Sequence, residues 1–291
     1  MILSEAMIIP VRTGCMGWSY ADWVGPFYPK GTRPADYLRL YSQVFDTVEV
    51  DSSFYGMPGE DMIRQWKDRT QDDFLFTLKM PKEFTHECKL RVDGRKLAEF
   101  ERRAMGLKSK LACVLLLLSP SARYEDMIED LKHIAEILDE RVRYAIEFRN
   151  ISWFRHEVYD LLREKNISLT WSANMYVDTP PVMTSDSVYL RFIGDRRITS
   201  FDRVQRDRTG ELKEWNDRLK TVIEQGRARR AFVFSNNHFA GFAPETIFTF
   251  RKLAGLEVKE WRRAMMGMRF NEGSRQTSLD GIEDPADHAG E

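Results

Sequence analysis

Residues 143–154 read Arg-Tyr-Ala-Ile-Glu-Phe-Arg-Asn-Ile-Ser-Trp-Phe, which sets a carboxylate and a guanidinium two positions apart. Tyr144, Ile146 and Phe148 alternate with Ala145, Glu147 and Arg149, so a β-strand sends the two sets to opposite faces. Either charge buried alone would be costly. The pair fits a strand that opens into a polar cleft, or a structural ion pair that closes a strand end. The same phase recurs in three other places. Thr47, Glu49 and Asp51 alternate with Val48 and Val50, and Leu75, Thr77 and Lys79 alternate with Phe74, Phe76 and Leu78. Tyr189 and Arg191 alternate with Val188, Leu190 and Phe192. Repeated ion pairs in one phase would be a coincidence, whereas one shared cleft explains them.

The chemistry open to these residues is acid–base work and anion binding. Glu147 and Glu49 are candidate catalytic groups, assisted by Lys79 and by His86 in the loop after it. Arg149 and Arg191 offer planar forks suited to phosphate or carboxylate. Asn236 and Asn237 follow the last apolar run and can contact ligand or bond loop backbone. Trp18, Tyr20, Trp23, Tyr28, Tyr55 and Trp153 lie in loops between apolar runs, where such side chains form a wall for a ring-shaped ligand or pack as core. Glu49, Asp51, Glu147 and His86 could hold a divalent metal, but no spacing among them is metal-specific, so no cofactor is assigned.

These residues need a scaffold that brings strand ends together. Strand patterns fall at 11–17, 47–51, 74–79, 112–118, 144–149, 167–171, 187–192 and 231–235. Helical patterns fall between them at 34–45, 60–69, 96–108, 123–140, 154–165 and 211–225, with a last one at 244–253. Strict alternation implies a parallel sheet with right-handed crossovers. Eight repeats in 291 residues favour an α/β fold closed as a single (β/α)8 TIM-type barrel over an open doubly wound sheet. No Gly-rich phosphate fingerprint follows the first strand, which weighs against a dinucleotide domain. A barrel places its site at the carboxyl ends of the strands, where the charged residues above stand. The long aromatic loop at 18–29 is expected to fold over something, and the loop at 193–210 carries Arg196, Arg197, Arg203, Arg206 and Arg208.

Composition bounds the rest. The 43% hydrophobic and 31% charged fractions are those of a globular protein. Residues 271–291 hold six acids against Arg275, a −5 segment that leaves +4 on residues 1–270 of a chain with net charge −1. Two units are therefore expected, a barrel over 1–270 and a disordered acidic tail over 271–291. Cys15, Cys88 and Cys113 are odd in number and widely spaced, so no disulfide framework or zinc pattern follows. With no signal-peptide pattern or membrane-length apolar run, the expected location is the cytoplasm.

The chain also resembles the YecE-like family, a domain of unknown function (domain of unknown function 72), over about residues 12–255. The resemblance rests on Gly14-Cys15-Met16-Gly17-Trp18-Ser19-Tyr20 with Trp23 and Phe27-Tyr28-Pro29, and on Val48-Glu49-Val50-Asp51-Ser52-Ser53-Phe54-Tyr55. It continues through Lys79 with Phe84-Thr85-His86, Glu147-Phe148-Arg149 with Ser152-Trp153-Phe154, Tyr189-Leu190-Arg191, and Asn236-Asn237. What it implies is one TIM-type barrel and no established activity. The family usually carries Asn at position 51, His at 150 and His-Gly at 193–194, and a Gln-Phe/Leu-Pro-Pro type turn where this chain has Leu117-Leu118-Ser119-Pro120.

The functional expectation is an enzyme of hydrolase or lyase type whose cleft binds an anionic, ring-containing substrate such as a nucleotide, nucleic-acid fragment or phosphosugar. The alternatives are a non-catalytic nucleic-acid-binding protein and a paired-carboxylate glycoside hydrolase. The last leaves the arginines and Lys79 unexplained. No membrane partner is expected, and the sequence does not give the oligomeric state.

Overall fold

In the computed structural model, which describes residues 9–258, eight parallel strands close around one barrel, with helices between successive strands except the sixth and seventh, which a loop joins. The strands are β1 (Val11–Cys15), β2 (Thr47–Val50), β3 (Leu75–Lys79), β4 (Leu111–Leu117), β5 (Tyr144–Glu147), β6 (Ser168–Asn174), β7 (Ser187–Gly194) and β8 (Arg230–Ser235). They pair in the order β1-β8-β7-β6-β5-β4-β3-β2, the arrangement of a (β/α)8 TIM-type barrel. The period-two pattern decides which residues go where. Val48, Val50, Phe76, Leu78, Ile146 and Phe148 join the layer beneath the helices, while Met16, Cys113, Leu115, Ala145, Tyr189, Phe232 and Phe234 pack inside the barrel.

The seam between β1 and β2 closes differently from the rest. Its ladder is a single bridge, Met16 opposite Glu49, with the Gly17 N–H donating to the Glu49 carbonyl at 2.8 Å. Tyr41, the last residue of helix α1 (Pro34–Tyr41), supplies what the ladder lacks. Its hydroxyl accepts the Cys15 N–H at 2.6 Å and donates to the Thr47 carbonyl at 3.0 Å, so both backbone groups stay satisfied. Gly14 permits that approach, since a Cβ there would stand 1.8 Å from the Thr47 carbonyl oxygen. At the far end of the chain, Arg251 donates to the Thr13 hydroxyl and the Asp46 carboxylate, both at 2.6 Å, and so pins the last long helix across the same seam.

Several element ends differ from the sequence pattern. Helix α1 stops at Tyr41 rather than at 45, and two four-residue helices, α2 (Ser52–Tyr55) and α3 (Asn237–Ala240), occupy stretches expected to be loop. The helix expected over 96–108 runs Gly94–Ala104 and then tightens into 3₁₀ turns that break at Lys108, where φ is 57°. No helix among the described residues is long and apolar enough to cross a membrane. The acidic segment 271–291 lies outside the described residues.

The aromatic loop after β1 is a packing element. Trp23, Phe27 and Tyr28 are buried, with Trp23 and Phe27 against Tyr41 of α1 and Tyr28 stacked on Tyr37 at 4.5 Å and 1° between planes. Trp23 also donates from Nε1 to Asn237 Oδ1 at 3.2 Å, tying this loop to α3.

Candidate functional site

At the carboxyl end of the barrel the inward residues of β2, β3, β5 and β7 form one continuous chain of hydrogen bonds. Thr77 and Tyr189 meet hydroxyl to hydroxyl at 2.9 Å, and the Tyr189 hydroxyl lies 2.8 Å from Glu49 Oε2, to which it donates. Arg191 forks onto Glu49, Nε to Oε2 at 2.9 Å and Nη2 to Oε1 at 2.6 Å. Its Nη1 donates to Glu147 Oε2, and its Nη2 also approaches the Met16 sulfur at 3.5 Å. Glu147 Oε1 in turn accepts Arg149 Nε at 2.8 Å. Glu49 and Glu147 are 0% exposed and Arg191 is 1% exposed, so the middle of this chain is sealed from solvent.

Such a sealed cluster survives because every charge has a partner. Burial alone would push the Glu147 carboxyl up, but the positive charges of Arg191 and Arg149 and their hydrogen bonds outweigh it and hold the group down at about 2. Glu147 is therefore a fixed carboxylate that orients two guanidinium groups. A general acid needs a proton to give near neutral pH, which this group lacks. The paired-carboxylate glycosidase arrangement fails for the same reason, since Arg191 bridges Glu49 and Glu147 and no sugar can sit between them.

Above this layer, at the mouth of the barrel, stand partly exposed side chains. Lys79 Nζ pairs with Asp51 Oδ1 at 2.6 Å, with side chains 12% and 24% exposed, and stands over the Phe54 ring at 5.3 Å. Asp51 balances Lys79 as Glu49 and Glu147 balance Arg191 and Arg149. Arg149 is 13% exposed, and its guanidinium lies 5.1 Å from the centre of the Tyr176 ring, in the loop after β6. Its two terminal nitrogens have no protein acceptor among the described residues. His86 sits in a π-helical turn (Glu83–Glu87), its Nδ1 2.9 Å from the Thr85 hydroxyl and its ring edge-on to Phe54 at 5.2 Å. Burial, then the charges of Arg149, Lys79 and Lys82, hold its pKa below the usual histidine value, so it is neutral at pH 7.

Other expected ligand contacts go elsewhere. Tyr28 is fully buried and its hydroxyl donates to the Trp18 carbonyl at 2.6 Å. Trp153, also fully buried, stacks on Phe148 at 4.7 Å and donates Nε1 to the Ala122 carbonyl at 2.8 Å. Asn237 is buried and accepts from Trp23 and the Ala243 N–H, while Asn236 caps α3 by accepting the His238 N–H at 2.9 Å. All four serve packing or backbone satisfaction. Trp18 is half-buried edge-on to Trp66 at 5.7 Å, and Tyr20 is half-buried with its hydroxyl donating to the Met16 carbonyl. Tyr55, at 45% exposure, is open on the outer rim. Glu49, Asp51, Glu147 and His86 do not converge, and among the described residues no group of three or more His, Cys, Asp or Glu side chains could hold a metal ion.

The chain matches the family described as "Protein of unknown function DUF72" over residues 12–268. It belongs to that family. Among DUF72-like relatives it is 26% identical over 144 residues to the UPF0759 protein YecE of Escherichia coli K12, covering 50% of each chain. It is 27% identical over 158 residues to the UPF0759 protein YunF of Bacillus subtilis 168, covering 52% of this chain and 54% of that one. The matched stretch thus spans about half the length of those relatives. The crystal structure of a DUF72 family protein from Thermotoga maritima MSB8 superposes with a TM-score of 0.73 at 27% identity, covering 84% of this chain and 99% of that one. A DUF72 family protein from Enterococcus faecalis V583, at 20% identity and a TM-score of 0.69 over 85% of this chain and 96% of that one, shares the fold.

Asn150 donates from Nδ2 to the Pro120 carbonyl at 3.0 Å, and its Oδ1 accepts the Ser152 N–H at 3.1 Å. Asp51 is the residue that neutralises Lys79. Sequence reasoning passed over Tyr176, which the fold brings beside Arg149 and whose only signal was its position after the sixth strand. His238, directly after Asn236-Asn237 at the end of the eighth strand, is a candidate by position alone.

Proposed function

We propose that the mouth of the barrel binds a phosphorylated, ring-containing ligand of the nucleotide or phosphosugar class. One observation carries this reading. Arg149 is gripped at Nε by a buried carboxylate and backed by the Tyr176 ring, which leaves its two terminal nitrogens as an oriented fork at the edge of solvent. A side chain held in this way loses little freedom when an anion docks. Lys79 supplies a second positive charge and Tyr176 an aromatic face for a ring. If the bound molecule is turned over, His86 is the group in this mouth suited to proton transfer near neutral pH, and hydrolase or lyase chemistry would fall to it in place of Glu147.

A longer ligand, a single-stranded nucleic-acid fragment, is favoured by the rim. Tyr55, Ile151, Met175, Tyr176 and Val204 are exposed large apolar side chains in the loops after β2, β5, β6 and β7. Exposed aromatic and apolar groups beside cations suit stacked bases and phosphates.

Calorimetric titration of the full chain with AMP and with a short single-stranded oligonucleotide separates these readings. Arg149→Ala is expected to weaken AMP roughly ten- to a hundredfold, the range of a lost charge-assisted contact. Equal AMP binding by wild type and variant, or none by wild type, overturns the proposal. Tight binding of the oligonucleotide alone, with a steep salt dependence, selects the second reading.

A further inference from the structure

We infer that His238 is a second recognition group of the mouth, an imidazole whose Nε2 accepts a hydrogen bond from a hydroxyl or amine of the ligand's ring. The inference rests on the reading of the mouth proposed above and adds the polar group that the ring must carry.

His238 is fixed on nearly every side. Its Nδ1 lies 2.9 Å from the Ile198 carbonyl oxygen. A carbonyl can only accept, so Nδ1 carries the hydrogen. In a neutral ring Nε2 is then left with its lone pair. The ring meets the edge of Phe201 at 5.0 Å, and Phe201 is itself anchored by its N–H donating to Asp22 Oδ2 at 2.7 Å. The His238 N–H is held by Asn236 Oδ1 at 2.9 Å. On the β7 side, Gly194 runs so close that a Cβ would stand 2.2 Å from the His238 carbonyl oxygen. Its Nδ1 and its backbone N–H are satisfied, whereas Nε2 has no protein partner among the described residues and is not a sealed atom.

The charge around the ring keeps it an acceptor. Burial, then the positive charge of Arg196, hold its pKa below the usual histidine value, against the Ile198 hydrogen bond and the weaker pull of Asp195 and Asp51. Asp51, across from it at the end of β2, is among the charges that act on the ring. Position then sets ligand size. Arg149 follows β5 and His238 follows β8, three strands away around an eight-stranded barrel. Strands about 4.8 Å apart and tilted give such a barrel a diameter on the order of 15 Å. A bare phosphate at Arg149 stays on one side. A phosphosugar or nucleotide can place its anion at Arg149 and Lys79 and a ring hydroxyl or exocyclic amine toward His238.

The test uses the full-length chain, inorganic phosphate, ribose 5-phosphate and AMP. His238→Asn keeps a nitrogen donor for the Ile198 carbonyl and removes the Nε2 acceptor, so the fold is expected to stand. It should leave phosphate affinity unchanged and weaken ribose 5-phosphate or AMP roughly three- to tenfold, the range of one neutral hydrogen bond. Long-range proton–nitrogen NMR of wild type should show the hydrogen on Nδ1 and an Nε2 signal that moves with the ring-bearing ligands and not with phosphate. A hydrogen found on Nε2 in the free protein, or equal binding of the ring-bearing ligands by wild type and His238→Asn, overturns this inference and leaves the Arg149 site standing. Failure of wild type to bind any of the three probes overturns both.

Discussion

Arg191 and Glu49 face each other through two parallel hydrogen bonds, 2.9 and 2.6 Å long, with both side chains sealed from solvent. Among the described residues Arg191 is the cation that pairs with Glu49, while Arg191 also keeps Glu147. Glu49→Gln should therefore destabilise the fold by about 1–3 kcal/mol, the cost of leaving one arm of a buried fork with a neutral partner. Urea unfolding measures it. A loss below about 1 kcal/mol would mean that Arg191 finds other support and that the fork is not what holds it.

Glu147 gives an acid-stability prediction. Its folded pKa, about 2, is depressed from 4.5, so its contribution is full above 4.5 and is lost as pH falls toward 2. At pH 7 the linked stabilisation is on the order of 3 kcal/mol. Glu147→Gln should be less stable than wild type at pH 7, with the gap closing between about pH 4.5 and 2. Parallel stability curves across that range would contradict the assignment.

His86 titrates low, with burial as the main cause and Arg149 next. Its folded pKa lies below the unfolded value of 6.5, so it costs stability as pH falls below 6.5. An NMR titration should find its midpoint under 6.5. In Arg149→Ala the midpoint should rise. An unmoved His86 midpoint would separate the two residues.

Asp51 sets the charge of the mouth. Asp51→Asn leaves Lys79 without its carboxylate, so inorganic phosphate should bind roughly two- to fivefold tighter at low ionic strength, with the gain shrinking in high salt. Weaker binding would show that Asp51 holds Lys79 in place more than it neutralises it.

Gly194 has φ +74° and abuts the His238 carbonyl. Gly194→Ala forces a strained backbone and a clash, and should cost at least 1–3 kcal/mol. Thermal or urea melts that match wild type would show that the β7 end yields to accommodate the side chain.

The inward placement of Glu49, Lys79, Glu147, Arg149 and Arg191 was legible in the sequence. Side chains on a strand alternate strictly, and helices outside a barrel demand the apolar set. The alternation of strands and helices likewise specified the barrel, because parallel neighbours need a crossover between them. Partnership was not legible. Arg191 lies 142 residues from Glu49 and 44 from Glu147, and nothing local says that it bridges them or that Asp51 cancels Lys79. Composition could not say whether Trp23, Tyr28 and Trp153 meet ligand or core, since an aromatic ring suits both. Tertiary packing decided it by giving each a buried neighbour and a hydrogen-bond acceptor. His238 and Tyr176 reach the mouth only through the folding of the loops after β8 and β6, where backbone path rather than residue pattern sets what a side chain faces.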